Sequence, residues 1–316
     1  MKQKERIPVV LDTDPGVDDL FAILLAASSD RFDLRAITAV AGNCPLAMTG
    51  RNALAIAERF HIDVPVYLGA DRPIVGKQAT AEYMHGSDGL GGLCWKPERK
   101  LARTEYAWEA IIHEAEQSEG KLVVIAIGPL TNVAIALLHS PKIADKIERI
   151  IFMGGSTTVG NITPYAEFNL YADPVAAEVV LRAGIPLYMV GLNVTEQAVF
   201  YRDDFGLDAL PDSPVKQTAD YLAEQMTARY QQYGYQGILL HDLLAVASVI
   251  DEKLLEWKHY HVAIERKSEL NYGRTVVDTE HINEPGKPNC YVAVSVDKER
   301  AAEHLRMALR HFARER

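Results

Sequence analysis

Five short apolar runs, at residues 7–11, 35–40, 122–127, 149–153 and 186–190, alternate along the chain with stretches of helical period at 17–27, 51–60, 106–117, 130–138 and 174–183. Runs this short and this apolar are buried strands, and the stretches between them are long enough to be crossover helices. Strands joined by helical crossovers pair in parallel. The expected fold is therefore α/β, with a doubly wound, mostly parallel central sheet of the open, Rossmann-like kind. A chain of 316 residues is accommodated by one such sheet, so a single domain over 1–316 is expected.

Two segments interrupt the alternation. Residues 69–103 are rich in Gly and polar residues, and residues 203–236 end in Tyr230, Tyr233 and Tyr235. Both are expected to be long loops, which in compact domains are commonly functional. Strand character returns at 275–277 and 290–296, and a charged amphipathic helix follows from Asp297.

Hydrophobic residues make up 48% of the chain and charged residues 24%, enough apolar material for a large core. A net charge of -10 repels phosphate backbones and anionic membrane surfaces, so neither a nucleic acid nor a membrane is the expected partner. Cys44, Cys94 and Cys290 are odd in number and widely spaced, which suggests neither a disulfide framework nor a thiolate metal site. The charged start, followed by an apolar run broken at Asp12 and Asp14, does not read as an export signal. No apolar stretch reaches the roughly twenty residues that cross a bilayer. A cytoplasmic location is expected.

The chemistry concentrates at the end of the first strand, in Asp12-Thr13-Asp14-Pro15-Gly16-Val17-Asp18-Asp19. Four carboxylates this close repel one another unless a cation neutralises them, and a hard divalent ion bound by oxygens is the natural remedy. The bland alternative is that Asp14 or Asp18 only caps the following helix. Other strand ends carry matching polar groups: Asn43, Asn132 and the run 161–169, with the pair His241-Asp242 at the start of a further helix. Open α/β sheets bind ligands beyond the carboxyl ends of their strands, where these groups converge. Gly128-Pro129 and Gly154-Gly155-Ser156 lack the Lys and the spacing of phosphate loops, and no Arg or Lys lies within the polar segments. An uncharged, polyol-bearing small molecule is the expected substrate.

In this order, DTDPGVDD at 12–19, AGN at 41–43, HGSDGLGG at 85–92, GPLTNVA at 128–134, MGG at 153–155, AEFN at 166–169 and HD at 241–242 resemble the inosine-uridine-preferring nucleoside hydrolase family across nearly the whole chain. The resemblance implies hydrolysis of the N-glycosidic bond of ribonucleosides, with the purine or pyrimidine preference left open. It implies a Ca²⁺ ion held by Asp14, Asp19, Asp242 and the carbonyl of Ile127, with Asp14 also the base that activates a metal-bound water. Asp18, Asn43 and Asn169 would hold the 2'- and 3'-hydroxyls, and Asn161 and Glu167 the 5'-hydroxyl. Asp12 would brace the motif turn from behind the ion. Charge develops on sugar and base as the bond breaks, and His241, a near-neutral acid anchored by Asp242, would protonate the leaving base. His85 would be a second histidine on the base side, against the alternative of a loop residue capping a turn. The three tyrosines would either close over the base or simply pack. Cys44 stands where an aliphatic residue is expected. A homodimer or homotetramer is the expected assembly.

Two other activities fit parts of the pattern. Asp12-Thr13-Asp14 matches, superficially, the Asp-x-Asp of haloacid-dehalogenase-like phosphatases, and a nucleoside sensor without turnover would share most contacts with an enzyme.

Overall fold

The computed structural model describes residues 6–98, 105–280 and 287–314. Along the first half the chain forms β1 (Ile7–Thr13), α1 (Val17–Ser28), β2 (Phe32–Ala39), α2 (Leu46–Arg59), β3 (Val66–Leu68), α3 (Glu82–His85), α4 (Ala107–Gln117), β4 (Leu122–Ala126), α5 (Thr131–His139) and β5 (Ile147–Met153). The second half adds α6 (Phe168–Ala172), α7 (Pro174–Leu181), β6 (Leu187–Val190), α8 (Leu192–Thr195), β7 (Val199–Phe200), α9 (Pro214–Gln232), β8 (Ile238–Leu239), α10 (His241–Ile250), β9 (Leu255–Tyr260), β10 (Val262–Ile264), β11 (Thr275–Val277), β12 (Cys290–Val296) and α11 (Lys298–Arg314).

Among the described residues the central sheet has eight strands in the order β3-β2-β1-β4-β5-β6-β12-β9. All neighbours pair in parallel except β12 with β9 at the edge. Successive side chains on β1 enter opposite cores: Val9 and Leu11 join one layer and Val10 the other, all without exposure. That alternation explains why the run is apolar throughout, since both faces of the sheet are covered by helices. Helix α1 packs on α10 and α11, while α4, α5 and α7 cover the opposite face. Phe21 of α1 meets Phe205 edge to face at 5.4 Å. A ring so buried is worth on the order of 3–5 kcal/mol as judged by truncation to alanine.

The chain runs outward from β1 through β2 to β3, then resumes at β4 on the other side of β1. This reversal opens a crevice beyond the carboxyl ends of β1 and β4, where such sheets bind ligands. The ends are in register there, Asp12 lying opposite both Thr38 of β2 and Ala126 of β4.

The expected α/β architecture and all five early strands are present. The expected loop at 203–236 is not one, because residues 214–232 form the 19-residue helix α9. Ser213 caps it, Pro214 opens it, and Val215, Ala219, Leu222, Met226 and Tyr230 make its buried stripe. The stripe has helical period but is built partly of small residues in a polar stretch, which hides it. The other expected loop is irregular apart from the short α3, and its last part, 99–103, lies outside the described residues.

Candidate active site

The strand-to-helix turn at 14–16 is organised from within the aspartate motif. Asp19, third residue of α1, accepts the Gly16 N–H at Oδ2 (2.8 Å) and the Thr13 hydroxyl at Oδ1 (2.5 Å). The helix is thus capped by Asp19, not by Asp14 or Asp18. Asn43, after β2, donates from Nδ2 to Asp19 Oδ2 and to the Asp14 carbonyl, each at 3.2 Å, and its N–H donates to Asp14 Oδ2 at 2.7 Å. The second Asp14 oxygen, Oδ1, is buried and finds no hydrogen-bond partner among the described residues. The carboxylate is wedged between glycines: a Cβ on Gly42 would lie 2.0 Å from Oδ2, and one on Gly128 would lie 2.6 Å from Oδ1.

Asp12 stands one layer deeper. Its Oδ1 accepts from Thr38 Oγ1 (2.6 Å) and Asn132 Nδ2 (2.8 Å), which ties β1, β2 and the start of α5 together, and its Oδ2 has no partner among the described residues. Asn132 is fully buried beneath the crevice, joined also to the Ala39 carbonyl and the Ala70 N–H, and it does not line the cavity.

Asp242, on the first turn of α10, brings its carboxylate to Asp18 and Asp19, and ligand oxygens of these three lie within 4.8 Å of one another. This trio contains Asp18, whereas the ligand set implied by the resemblance has Asp14. All four acids are affected by their setting. Burial, then the charge of Asp19, holds Asp14 well above the usual carboxylate range and pushes Asp18 up to about 7. Burial also raises Asp19, and burial followed by Asp18 and Asp19 raises Asp242 strongly. Asp12 is pushed up to about 7 by burial. Acids that resist ionisation for want of a counter-charge, next to an unpartnered carboxylate oxygen, suit a bound cation. The donors are all oxygens, which favours a hard ion such as Ca²⁺ or Mg²⁺.

Above the acids lies a cavity of about 270 Å³. Asp18, Asn43, Asn161, Glu167, Asn169 and Asp242 line it, together with Ile127 at the end of β4. Asn169 Nδ2 donates to the carbonyls of Ile127 (3.0 Å) and Met153 (3.1 Å). Glu167 caps α6, accepting from the N–H groups of Asn169, Gly155 and Leu170, and burial nonetheless pushes it up to about 7. Asn161 Oδ1 accepts the Phe168 N–H at 2.9 Å. Every acid and amide expected from the sequence to touch substrate is thus at the cavity, several with one polar atom already engaged.

Much of the remaining lining is aromatic and imidazole, with Tyr83, His85, Tyr230, Tyr233, Tyr235 and His241, and Met84 beside them. The Val17 N–H donates to His85 Nδ1 at 3.2 Å, so that nitrogen carries no proton and Nε2 does. The 3.9 Å approach of the same nitrogen to Asp18 is accordingly not an ion pair. Burial, then His241 and Arg229, pushes His85 down to about 3. His85 thus ends α3, accepts the N–H of the first residue of α1 and also lines the cavity. His241 departs from expectation in two ways. Its anchor is the hydroxyl of Thr195, 2.7 Å from Nδ1, because Asp242 turns toward the other acids. Burial pushes it down to about 4, away from the near-neutral value expected of a free imidazole.

Of the tyrosines, Tyr230 is buried and donates to the Leu239 carbonyl at 3.1 Å, and Tyr235 donates to Glu196 at 3.2 Å. Tyr233 is half exposed and lies edge-on to Tyr83 at 6.1 Å. Tyr230 is therefore held by packing, and Tyr233 is the freest of the three. Cys44 is buried, and its thiol is pushed up to about 12 by burial first, which leaves it inert. Sequence reasoning missed Thr195, Tyr83 and Met84; the last two adjoin His85, but Thr195 carries no local signal.

Residues 9–303 match the family described as inosine-uridine preferring nucleoside hydrolase. The chain is 36% identical over 295 residues to the pyrimidine-specific ribonucleoside hydrolase RihB of Escherichia coli O9:H4 (strain HS), covering 93% of this chain and 94% of that one. Among solved structures it resembles the plant nucleoside hydrolase PpNRh1, with a TM-score of 0.89 and 30% identity over 96% of this chain and 99% of that one. It is similarly close to a purine-preferring ribonucleoside hydrolase from Gardnerella vaginalis, with a TM-score of 0.88 and 31% identity over 97% and 99% of the two chains.

Proposed function

The chain belongs to the inosine-uridine preferring nucleoside hydrolase family, and from that premise we propose that it hydrolyses ribonucleosides of the inosine, uridine and cytidine type to ribose and free base with the help of a bound Ca²⁺. The observation that carries the reading is the meeting of the buried acids Asp18, Asp19 and Asp242, two of which, Asp18 and Asp242, face a cavity lined by amides and aromatic rings, with Asp14 and its oxygen unpartnered among the described residues beside them.

Asp14, Asp19, Asp242 and the Ile127 carbonyl are the proposed cation ligands, with Asp18 close enough to share the site. A divalent ion bound there would neutralise the acids and polarise the attacking water. Asp14 Oδ1, free of hydrogen bonds among the described residues, would accept the water's proton as the oxygen approaches the anomeric carbon. The C–N bond breaks with its electron pair going to the base, and the positive charge left on the sugar is stabilised by the surrounding carboxylates. Asp18, Asn43 and Asn169 bind the 2'- and 3'-hydroxyls, and Asn161 and Glu167 the 5'-hydroxyl. His241 and His85 face the departing base as hydrogen-bond donors. Tyr83 and Tyr233 supply flat surfaces for the base to lie against.

A phosphatase would want a cation to hold phosphate, and no Lys or Arg lines the cavity among the described residues. No helix among them is long and apolar enough to cross a membrane. Nucleoside salvage in the cytoplasm, by a homodimer or homotetramer, is the setting we infer. A reducing-sugar assay over inosine, adenosine, guanosine, uridine and cytidine tests the reading. Ribose release that stops on chelation supports it, and binding of nucleosides without any release would make the protein a sensor instead.

A further inference from the structure

We propose that Thr195 is a positioning residue that fixes His241 as the tautomer with its proton on Nε2, and so presents a hydrogen-bond donor to the base end of the cavity. The inference rests on the nucleoside-hydrolase reading above. Thr195 is the last residue of α8, the short helix that follows β6 at the carboxyl end of the sheet, and it is 1% exposed. Its backbone N–H donates to the Gly191 carbonyl at 3.0 Å, which holds the turn that carries the side chain. His241 opens α10, 46 positions later in the chain, and its Nδ1 lies 2.7 Å from Thr195 Oγ1.

Either atom of this pair could in principle be the donor, and the surroundings decide between them. Among the described residues Thr195 Oγ1 has no hydrogen-bond partner other than His241 Nδ1. If Nδ1 carried the proton and donated, the hydroxyl hydrogen would be buried with nothing to accept it, an arrangement that proteins avoid. If the hydroxyl donates, both groups are satisfied and the proton of the neutral ring must sit on Nε2. The tautomer of an imidazole is set by what its other nitrogen bonds, and here that partner is a donor. The first turn of α10 adds to the preference for a neutral ring, since a helix N-terminus disfavours positive charge. His85 has the same arrangement by a different route, its Nδ1 taking the Val17 N–H. The two imidazoles that line the cavity thus both have Nε2–H to offer, one held by a backbone amide and one by a hydroxyl.

The consequence is for the leaving group. Negative charge builds on the base as the glycosidic bond breaks, and a fixed Nε2–H stabilises it in proportion to how much stabilisation that group needs. Nucleosides, with poor leaving groups, depend on the donor. A p-nitrophenyl riboside, whose nitrophenolate departs unaided, depends on it little.

The test compares wild type with Thr195→Val, which keeps the side-chain shape, and Thr195→Ser, which keeps the hydroxyl. ¹⁵N NMR of the imidazole of His241 should give Nε2 as the protonated nitrogen in wild type and in Thr195→Ser, and a tautomer mixture in Thr195→Val. Nucleoside kcat should fall roughly tenfold or more in Thr195→Val with KM within about twofold, while p-nitrophenyl riboside kcat falls less than about threefold, and Thr195→Ser should recover most of the loss. A protonated Nδ1 in wild type, equal losses on both substrates, or no loss on either would overturn the proposal. Wild type that releases no ribose from any nucleoside would instead defeat the nucleoside-hydrolase reading, and the NMR result would still judge Thr195.

Discussion

Gly42 presses its α-carbon against the carboxylate of Asp14 so closely that a methyl group on Gly42 would come within 2.0 Å of Asp14 Oδ2 and 2.7 Å of Pro129 Cδ. The absence of a side chain at 42 is what lets the acid sit where the N–H of Asn43 can hold it. Gly42→Ala should move Asp14 while sparing the sheet below. Displacing a catalytic group by about 1 Å costs on the order of 100-fold in kcat. Steady-state kinetics beside a circular dichroism melt checks this: a variant that melts close to wild type and turns over nucleosides at the wild-type rate would contradict the role given to Asp14.

Asp14→Asn tests the base directly. Oδ2 of Asp14 accepts a backbone N–H, so the amide oxygen of the replacement will take that position and its NH₂ will fall where Oδ1 now points. A donor then stands where a proton must be accepted. We expect kcat to drop by on the order of 10²- to 10⁴-fold, with nucleoside binding still measurable by calorimetry.

Removing the cation should destabilise as well as inactivate. Ligand oxygens of Asp18, Asp19 and Asp242 lie within 4.8 Å of one another, and Asp14 Oδ1 is buried without a hydrogen-bond partner among the described residues. Without a counter-charge these groups repel in a site that water barely reaches. Chelation should lower Tm, and Ca²⁺ at a hundred times its Kd should return roughly 2.7 kcal/mol of stability. Asp242→Asn should shrink that difference. An unchanged Tm and undiminished activity after exhaustive chelation would exclude a metal role for these residues.

The hydroxyl-binding groups proposed above predict a substrate preference. Asp18, Asn43 and Asn169 line the cavity with polar atoms that a ribose would satisfy and a 2'-deoxyribose would leave partly unpaired. Sites built to bind a hydroxyl reject analogues that lack it strongly. 2'-Deoxynucleosides should therefore turn over with kcat/KM lower by on the order of 100-fold or more. Equal values for the two sugars would remove the hydroxyl assignment.

What the sequence disclosed followed from how local each signal is. The five early strands were legible because both sheet faces are covered, which leaves unbroken apolar runs such as the one containing Val9, Val10 and Leu11. The acid cluster was legible because four carboxylates fall within eight residues. Helix α9 was not, since a stripe running through Ala219, Ala223 and Met226 within polar surroundings gives little contrast. Edge strand β9 was missed as well, its exposed Glu256 and Lys258 masking the pairing with β12. The grouping of Asp18 with Asp19 and Asp242 depends on Asp242, brought in by a helix far along the chain, and spacing does not encode that. The histidine environments were the least legible. A free imidazole titrates near neutrality, but burial takes both His85 and His241 well below it, and burial of a single histidine at a helix end has no local pattern. Thr195 is the extreme case, a lone hydroxyl whose meaning lies entirely in its distant partner.

The loop that carries His85 should loosen in acid, and the sign follows from Asp88. Its carboxylate accepts the N–H groups of Leu90 (3.2 Å), Gly92 (2.9 Å) and Cys94 (2.7 Å), which folds residues 88–94 around a single side chain. Burial tends to raise its pKa, but the three N–H groups outweigh burial and hold it below the ordinary 3.8. Between the folded value and 3.8 the unfolded chain binds more protons than the folded one, so stability increases with pH across that window. The contribution of Asp88 is therefore complete above the unfolded value and is lost as pH falls through the folded one. The same protonation removes the acceptor for the Gly92 and Cys94 amides. Their hydrogen exchange, corrected for intrinsic rates, should accelerate relative to the core strands as pH falls below 3.8. Asp88→Asn should show weakened protection already at neutral pH and little further change in acid, together with a raised KM, because His85 then loses its support. Protection at Gly92 and Cys94 that stays constant through the acid range in wild type would mean that the loop is held by something other than this carboxylate.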